Sequence, residues 1–370
     1  MRAARADVDL GAIAHNIGVL AAHVEGAEVC AVVKADGYGH GAIAVGQAAI
    51  AAGATWLAVA LIEEGAVLRK AGITAPILVL SQPRVDDFDA AVHYDLRLTL
   101  YTAEGIEAAC DAAAAEGKAA KVHLKINTGM NRVGANPEQA VDLAERITKR
   151  PELELEAVWT HCAVADEPGN AFTDRQLDVF EAVVADLEDA GLRPPMLHAA
   201  NSAAAIDHPR ARFDLVRCGI AVYGIAPSPA LQDRLDLRPA LRLSAEVAMR
   251  KRVAPGERIS YGLRHEFDRP TNVVTVPIGY ADGVPRRLSL VGSDVLIAGR
   301  RCPIVGVITM DQLMVDVGDL EVDIGDRVVL IGEQGAECIT ADEWAERLDT
   351  IAYEIVCGIG PRVPRFYRRS

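Results

Sequence analysis

The sequence predicts an α/β chain: a (β/α)8 TIM-like barrel over residues 1–237, followed by a mainly β C-terminal domain over 238–370. Three observations predict it. Short apolar runs alternate with alanine-rich segments of helical period through the first two thirds of the chain. After the turn-rich stretch Pro227–Pro239 the pattern changes to alternating strands punctuated by Gly and Pro. A length of 370 residues, 51% of them hydrophobic and 24% charged, is enough for more than one core in an ordinary globular protein.

In chain order, the strand-like runs are Val29–Val33, Trp56–Ala60, Ile77–Leu80, Leu96–Leu100, Val122–Ile126, Leu155–Trp159, Met196–Ala199 and Leu215–Tyr223. Between them, Gly41–Ala52, Glu104–Ala115, Glu138–Lys149 and Thr173–Ala190 have helical period. Strand-then-helix units in this number and length suit an eightfold parallel barrel. A doubly wound open sheet has the same alternation, because periodicity does not show closure. In the second part, Leu241–Val253, Asn272–Pro277, Val295–Ile297 and Arg327–Ile331 read as strands. One late helix, Ala341–Leu348, has Thr340 as its N-cap and Glu343 three residues on, the spacing of a capping box.

A net charge of −14 without a long Lys/Arg block repels nucleic acid and anionic membranes, so neither is an expected partner. Any anionic ligand must then be captured locally, by particular arginines, helix N-termini or oriented amides. No run of about 18 apolar residues suggests a membrane span. The opening segment carries Asp7 and Asp9 and does not read as a secretory signal, so a cytoplasmic setting is expected. Seven cysteines without C-x-x-C spacing suggest reduced thiols, with neither a disulfide framework nor a metal site.

In a barrel, reactive groups sit where strands end. Lys34 stands there, in Val33-Lys34-Ala35-Asp36-Gly37-Tyr38-Gly39-His40. A lone lysine in that place is more often a solvated strand end. Further along, Lys125 and Arg132 lie in His123-Leu124-Lys125-Ile126-Asn127-Thr128-Gly129-Met130-Asn131-Arg132-Val133-Gly134, and His161 follows the strand ending at Trp159. Asn201 and Ser202 open a helix after His198, and Arg217, Gly219 and Ile220 lie in the last barrel run. The second part contributes Ile259-Ser260-Tyr261-Gly262, Tyr280 in Pro277-Ile278-Gly279-Tyr280-Ala281-Asp282-Gly283, and Met310 in Thr309-Met310-Asp311-Gln312. Taken singly, each has a structural explanation. Arg132 is a surface arginine near a turn, Ser202 a helix cap, and Tyr261 an aromatic packed in a turn.

Together, in this order and over most of the chain, these segments resemble the alanine racemases. The resemblance implies a pyridoxal 5'-phosphate-dependent isomerase that interconverts L-alanine and D-alanine and supplies D-alanine for cell-wall peptidoglycan. It implies Lys34 as the Schiff-base lysine and one catalytic base, and Tyr261 as the second base on the opposite face of the substrate carbon. It further implies Arg132 and the Met310 backbone at the substrate carboxylate. Lys125 would be carried as a carbamate that orients Arg132. Arg217 would meet the cofactor's pyridine nitrogen, linked to His161. An arginine there cannot accept a proton, so the nitrogen stays unprotonated and side reactions are fewer. Tyr38, Asn201, Ser202, Gly219, Ile220 and Tyr353 would complete the cofactor site, while Tyr280, Asp166 and Arg286 would line the channel by which substrate arrives. An isologous homodimer is implied, in which Tyr261 and Met310 complete the partner's site. Thr309 departs from several members, which carry cysteine there.

Other readings stay open at this stage. A racemase for serine or a basic amino acid shares the same scaffold. A noncatalytic carrier of pyridoxal phosphate ordinarily resembles the barrel alone, and the long β-rich segment argues against it. A decarboxylase of similar architecture does not account for the segment around Tyr261.

Overall fold

The computed structural model describes residues 4–369, which form two compact units. One comprises residues 11–37 and 41–239; the other comprises the opening residues to Leu10, then 38–40, and the chain from Ala240 onward.

The first unit is the barrel. Strand β1 (Arg5–Asp9) precedes it in sequence but belongs to the second unit. The barrel strands are β2 (Glu28–Val32), β3 (Trp56–Val59), β4 (Ile77–Val79), β5 (Leu98–Leu100), β6 (Ala120–Lys125), β7 (Leu153–Trp159), β8 (Met196–His198) and β9 (Leu215–Cys218). They pair in parallel as β4-β3-β2-β9 and β5-β6-β7-β8. Backbone bonds close both seams. Val79 N donates to Arg97 O (3.0 Å) and Arg97 N to Ile77 O (2.8 Å) between β4 and β5. Between β8 and β9, Asp214 N donates to Leu197 O (3.0 Å) and Arg217 N to Ala200 O (3.0 Å). The ring leaves no open edge, which excludes the doubly wound alternative.

All eight barrel runs read from the sequence are strands, and the reason is burial on both faces. β3, β4, β5 and β9 are buried at every position, so their residues form near-continuous apolar runs. One boundary needs correcting: the run Leu215–Tyr223 is not a single strand. It stops at Cys218, because Gly219 (φ −101°, ψ −97°) leaves the extended region and Ile220–Tyr223 curls into a helical turn. Val222 N closes that turn on Gly219 O (2.9 Å).

The second unit is mainly β. β10 (Leu241–Glu246), β11 (Met249–Val253), β14 (Thr271–Val276), β15 (Asp294–Ile297), β16 (Arg300–Val305), β17 (Leu313–Gly318), β18 (Arg327–Gln334) and β20 (Arg365–Arg368) join β1 in one sheet. Its order is β11-β14-β17-β16-β15-β18-β10-β1-β20, with β19 (Glu337–Ile339) paired to β18. A small hairpin of β12 (Arg258–Ile259) and β13 (His265–Glu266) stands apart. Leu241–Val253 is thus two strands. β1 was not legible as a strand; it fills a slot between β10, antiparallel, and β20, parallel. Val253, Ile259, Phe267, Val273, Val305 and Met314 pack as a local core. The late helix spans Ala341–Leu348, and Thr340 Oγ1 accepts from Glu343 N (3.0 Å). The Glu343 carboxylate does not reach back to complete the capping box; it accepts from Arg301 and Arg347.

Candidate active site

In the barrel unit, half-buried Lys34 stands two residues beyond the end of β2. The chain after it makes a left-handed turn, with Ala35, Asp36 and Gly37 at φ 52°, 50° and 61°. Non-glycine residues adopt that region at a cost, so it must be held from outside. Ala35 N donates to Glu64 Oε1 (2.6 Å), while Glu64 Oε2 accepts from Ala60 N (2.8 Å) and Leu61 N (3.1 Å). One carboxylate thereby ties the end of β2 to the end of β3. Asp36 Oδ1 accepts from Ala42 N (2.9 Å), opening the helix Ala42–Ala51.

Arg217 on β9 is the most enclosed cation of the site, only 2% exposed. Its Nη1 donates to His198 Nδ1 (2.7 Å); its Nη2 donates to Thr160 O (2.8 Å) and Ala199 O (2.9 Å), with His161 Nδ1 at 3.3 Å. The guanidinium lies over the Trp159 ring, 4.5 Å from its centroid. Its Nε is buried and has no hydrogen-bond partner among the described residues. Burial lowers the Arg217 pKa to about 10, which leaves it charged at neutral pH. Burial, then Arg217, hold His161 and His198 well below the ordinary histidine range, so both are neutral.

Lys125, at the end of β6, is 4% exposed, with Nζ 4.1 Å from the Trp159 centroid and donating to Leu80 O (3.3 Å). Burial lowers its pKa to about 7, and Arg217, Arg132 and Lys34 push the same way. All three are cations. Arg132 is exposed and shares a narrow crevice with Lys125, Asn127, Thr128, Met130, Thr160 and His161. The strand ends thus concentrate positive charge in a chain of net charge −14, the local anion trap that the composition demanded.

Asn201, not Ser202, caps the helix Ser202–Asp207: its Oδ1 accepts from Ala204 N (3.0 Å) and its Nδ2 donates to Cys162 O (3.2 Å). Ser202 is buried, and its hydroxyl oxygen accepts from Gly219 N (2.8 Å) and Ala221 N (3.5 Å), leaving its own proton to donate. Ile220 begins the helical turn after Gly219. Asp166 is exposed, and its carbonyl accepts from Ser228 Oγ (2.6 Å).

The remaining candidates belong to the β-rich unit. Buried Tyr38 and half-buried Tyr353 approach with ring centroids 6.1 Å apart, and burial, then Tyr353, push the Tyr38 phenol up. Gly39 (φ 78°) is required beside them, because a Cβ would lie 2.3 Å from Val356 O. Tyr261 is 74% exposed. It follows Ser260, itself at φ 64° with Oγ donating to Val307 O (2.7 Å). Tyr261, Ser260, Thr275 and Thr309 line an open hollow of about 320 Å³. Tyr280 N donates to Thr309 O (3.0 Å) and Ala281 N to Met310 O (3.0 Å), an approach so close that a Cβ on Gly279 would meet Thr309 O at 2.2 Å. The Thr309 hydroxyl donates to Gln312 O (2.9 Å), closing the turn that presents Met310. Arg286 is exposed at the start of the turn Arg286–Leu290.

Three residues with no role in the sequence reading hold the barrel cluster together: His198, Trp159 and Glu64. His198 stands in a quoted segment, but its bond to Arg217 needs the β8 to β9 register. Glu64 offered no signal, since it reads as an ordinary first-turn acid.

A closed eight-stranded parallel barrel with buried cations at its strand ends, in a chain with a mainly β second unit, defines a barrel-type enzyme. Residues 8–227 match the family described as alanine racemase, N-terminal domain, and residues 240–367 match alanine racemase, C-terminal domain. The chain belongs to the alanine racemase family. It is 50% identical over 368 residues to an alanine racemase of Symbiobacterium thermophilum, covering 99% of this chain and 97% of that one. Among solved structures, an alanine racemase from Streptomyces lavendulae superposes with a TM-score of 0.95 at 38% identity, covering 100% of this chain and 98% of that one. A histidine racemase from Leuconostoc mesenteroides gives 0.92 at 31% identity, covering 99% and 98%.

Proposed function

We propose that the chain racemises alanine with pyridoxal 5'-phosphate held at Lys34. The observation that carries this reading is identity along nearly the whole length of both chains to a relative named alanine racemase. The residues present fit the cofactor on two counts. Arg217 Nε is a buried donor without an acceptor, and the lone pair of an unprotonated ring nitrogen is the partner it lacks. Lys34, Arg132 and Arg217 supply positive charge for a phosphate and a carboxylate. When bound, the cofactor supplies an electron-accepting ring that stabilises negative charge at the substrate's α-carbon.

Lys34 anchors the cofactor and exchanges a proton at one face of that carbon; the Tyr261 phenol exchanges a proton at the other, so inversion runs in both directions. Arg132 and the Met310 amide hold the carboxylate. Ser202, Gly219, Ile220, Tyr38 and Tyr353 receive the phosphate, with Asn201 fixing the helix that presents Ser202. His161 couples Arg217 to the phenol. Tyr280, Asp166 and Arg286 form the corridor for substrate. Residues 1–237 carry most of the cofactor-binding residues, and 238–370 carry Tyr353, Tyr261 and Met310. A homodimer is part of this reading, with Tyr261 and Met310 of one copy serving the other, and their exposure of 74% and 52% supports it. A cytoplasmic setting accords with seven unbridged cysteines.

Lys125 carries a carbamate in this proposal. A buried amine with a pKa of about 7 is substantially neutral at physiological pH, and its nitrogen can attack the carbon of CO2 and release one proton. The product places a negative charge in the crevice that Lys125 shares with Arg132.

A second substrate is favoured by the likeness to a histidine racemase. The test is the optical rotation of L-alanine, L-serine, L-lysine and L-histidine incubated with purified protein and cofactor. Fastest decay with alanine supports the reading; faster decay with a basic amino acid replaces alanine as substrate.

A further inference from the structure

Beneath the strand ends, a continuous line of polar side chains descends the inside of the barrel. Lys121, His123 and Lys125 occupy every second position of β6, on one face, where a parallel barrel ordinarily carries branched aliphatics. His123 and His198 are fully buried and Glu156 on β7 nearly so. Buried polar groups cost free energy unless each meets a partner, and both histidines and the carboxylate do. Arg217 Nη1 contacts His198 Nδ1 (2.7 Å), His198 Nε2 contacts His123 Nδ1 (3.0 Å), and His123 Nε2 contacts Glu156 Oε2 (3.0 Å). At the far end, Lys121 Nζ donates to Glu156 Oε1 (3.0 Å), and Arg97 Nε stands 3.5 Å from Oε2.

The direction of every bond is forced. A guanidinium only donates, so His198 Nδ1 must accept and its proton must sit on Nε2. That N–H meets His123 Nδ1, which must therefore accept, leaving the His123 proton on Nε2 to donate to Glu156. Only an acceptor can end the chain. Glu156 is one: burial pushes its carboxyl up, but the bonds from His123 and Lys121 and the charge of Arg97 prevail and hold it at about 2. Burial in turn lowers both histidines, which keeps them neutral. Trp159 stacks on His198 (centroids 5.3 Å, 15° between planes) and Trp56 flanks His123 at 5.5 Å, so neither ring is free to turn.

We propose that Glu156 and His123 are positioning residues for Arg217: the carboxylate sets the proton direction of the whole line and so keeps a lone pair of His198 facing the guanidinium. Removing that acceptor strands the His123 proton. The proton moves to Nδ1, His198 takes the opposite tautomer, and an N–H then confronts Arg217 Nη1. The guanidinium shifts, and its Nε leaves the orientation on which the ring nitrogen depends; this last consequence rests on the proposed function.

The test uses the full chain with cofactor and nitrogen-labelled histidine. Ring signals of His123 and His198 are followed in the natural protein, in Glu156→Gln, which keeps an acceptor, and in Glu156→Leu, which does not. Both histidines are expected neutral with the proton on Nε2 in the first two. In Glu156→Leu, His198 shifts towards the Nδ1–H form, and kcat for alanine falls roughly tenfold while KM stays within about twofold, because carboxylate recognition is elsewhere. A cationic or Nδ1–H histidine in the natural protein at neutral pH overturns the proposal, and that spectrum decides even if Glu156→Leu does not fold. Unchanged tautomers and kcat in Glu156→Leu overturn it as well. Absence of racemisation by the natural protein counts against the proposed function alone, since the ring signals test the line without it.

Discussion

Arg217 is 2% exposed and bonded to His198 and two backbone carbonyls, whereas Tyr261 is 74% exposed at the rim of an open hollow. The same contrast separates the two units. In the barrel, the candidate groups are set by a rigid ring of strands, and burial has lowered the proton affinities of Lys125, His161 and Arg217. In the β-rich unit, Tyr261, Tyr280 and Met310 stand on turns shaped by positive-φ residues and close backbone approaches. The barrel half is preorganised at the expense of desolvation. In the β half, Tyr261 and Met310 have paid no such cost, being 74% and 52% exposed.

This contrast can be broken in order of expected effect. Lys34→Ala should lower racemisation by about 10⁴-fold or more, since it removes the cofactor anchor and a proton carrier together. Single-turnover kinetics with alanine measures it, and a loss under tenfold would place the anchor elsewhere. Arg217→Met should cost stability as well as activity, about 3–5 kcal/mol in urea unfolding, because it strands the Thr160 and Ala199 carbonyls and His198 in the core. Tyr261→Phe is its opposite. It should lower kcat by about 10²–10³-fold yet leave unfolding within roughly 0.5 kcal/mol, as befits an exposed group. If Tyr261→Phe destabilised as much as Arg217→Met, the division into buried and exposed halves would not hold.

A further effect concerns the pH dependence of stability through Lys125. Its folded pKa of about 7 lies below the ordinary 10.5, so between those values the unfolded chain binds the proton and the folded chain does not. Stability therefore rises with pH across that window and falls as pH drops through it. In buffer purged of CO2 this rise should be measurable by urea titration and absent in Lys125→Met. Labelled bicarbonate should flatten it and give a carbamate carbon signal; neither change occurring would remove the carbamate from the account.

Much of the barrel was legible because doubly buried parallel strands are short apolar runs, and Lys34, Arg132 and Arg217 sit in segments specific enough to stand out. Several features were not. β1, Arg5–Asp9, buries Ala6 and Val8 between charged neighbours, but its partners β10 and β20 lie at the far end of the chain. The strand ending at Cys218 looked longer because Ile220–Tyr223 is as apolar as a strand while coiling as a turn. Asn201 took the cap that Ser202 was free to fill, which released the Ser202 hydroxyl to receive the Gly219 amide. The His123–Glu156 pairing joins residues 33 apart through barrel register, information that no local pattern holds. What did stand in the sequence was the two-residue period of Lys121, His123 and Lys125 inside an otherwise apolar strand.

The central claim is proton exchange on both faces of one carbon. It is tested most directly by incubating L-alanine with the protein and pyridoxal 5'-phosphate in deuterium oxide and following the α-proton by NMR alongside optical rotation. The account predicts deuterium at the α-carbon of both enantiomers and decay of rotation to zero. An α-proton that persists undiminished, with rotation unchanged, would contradict it.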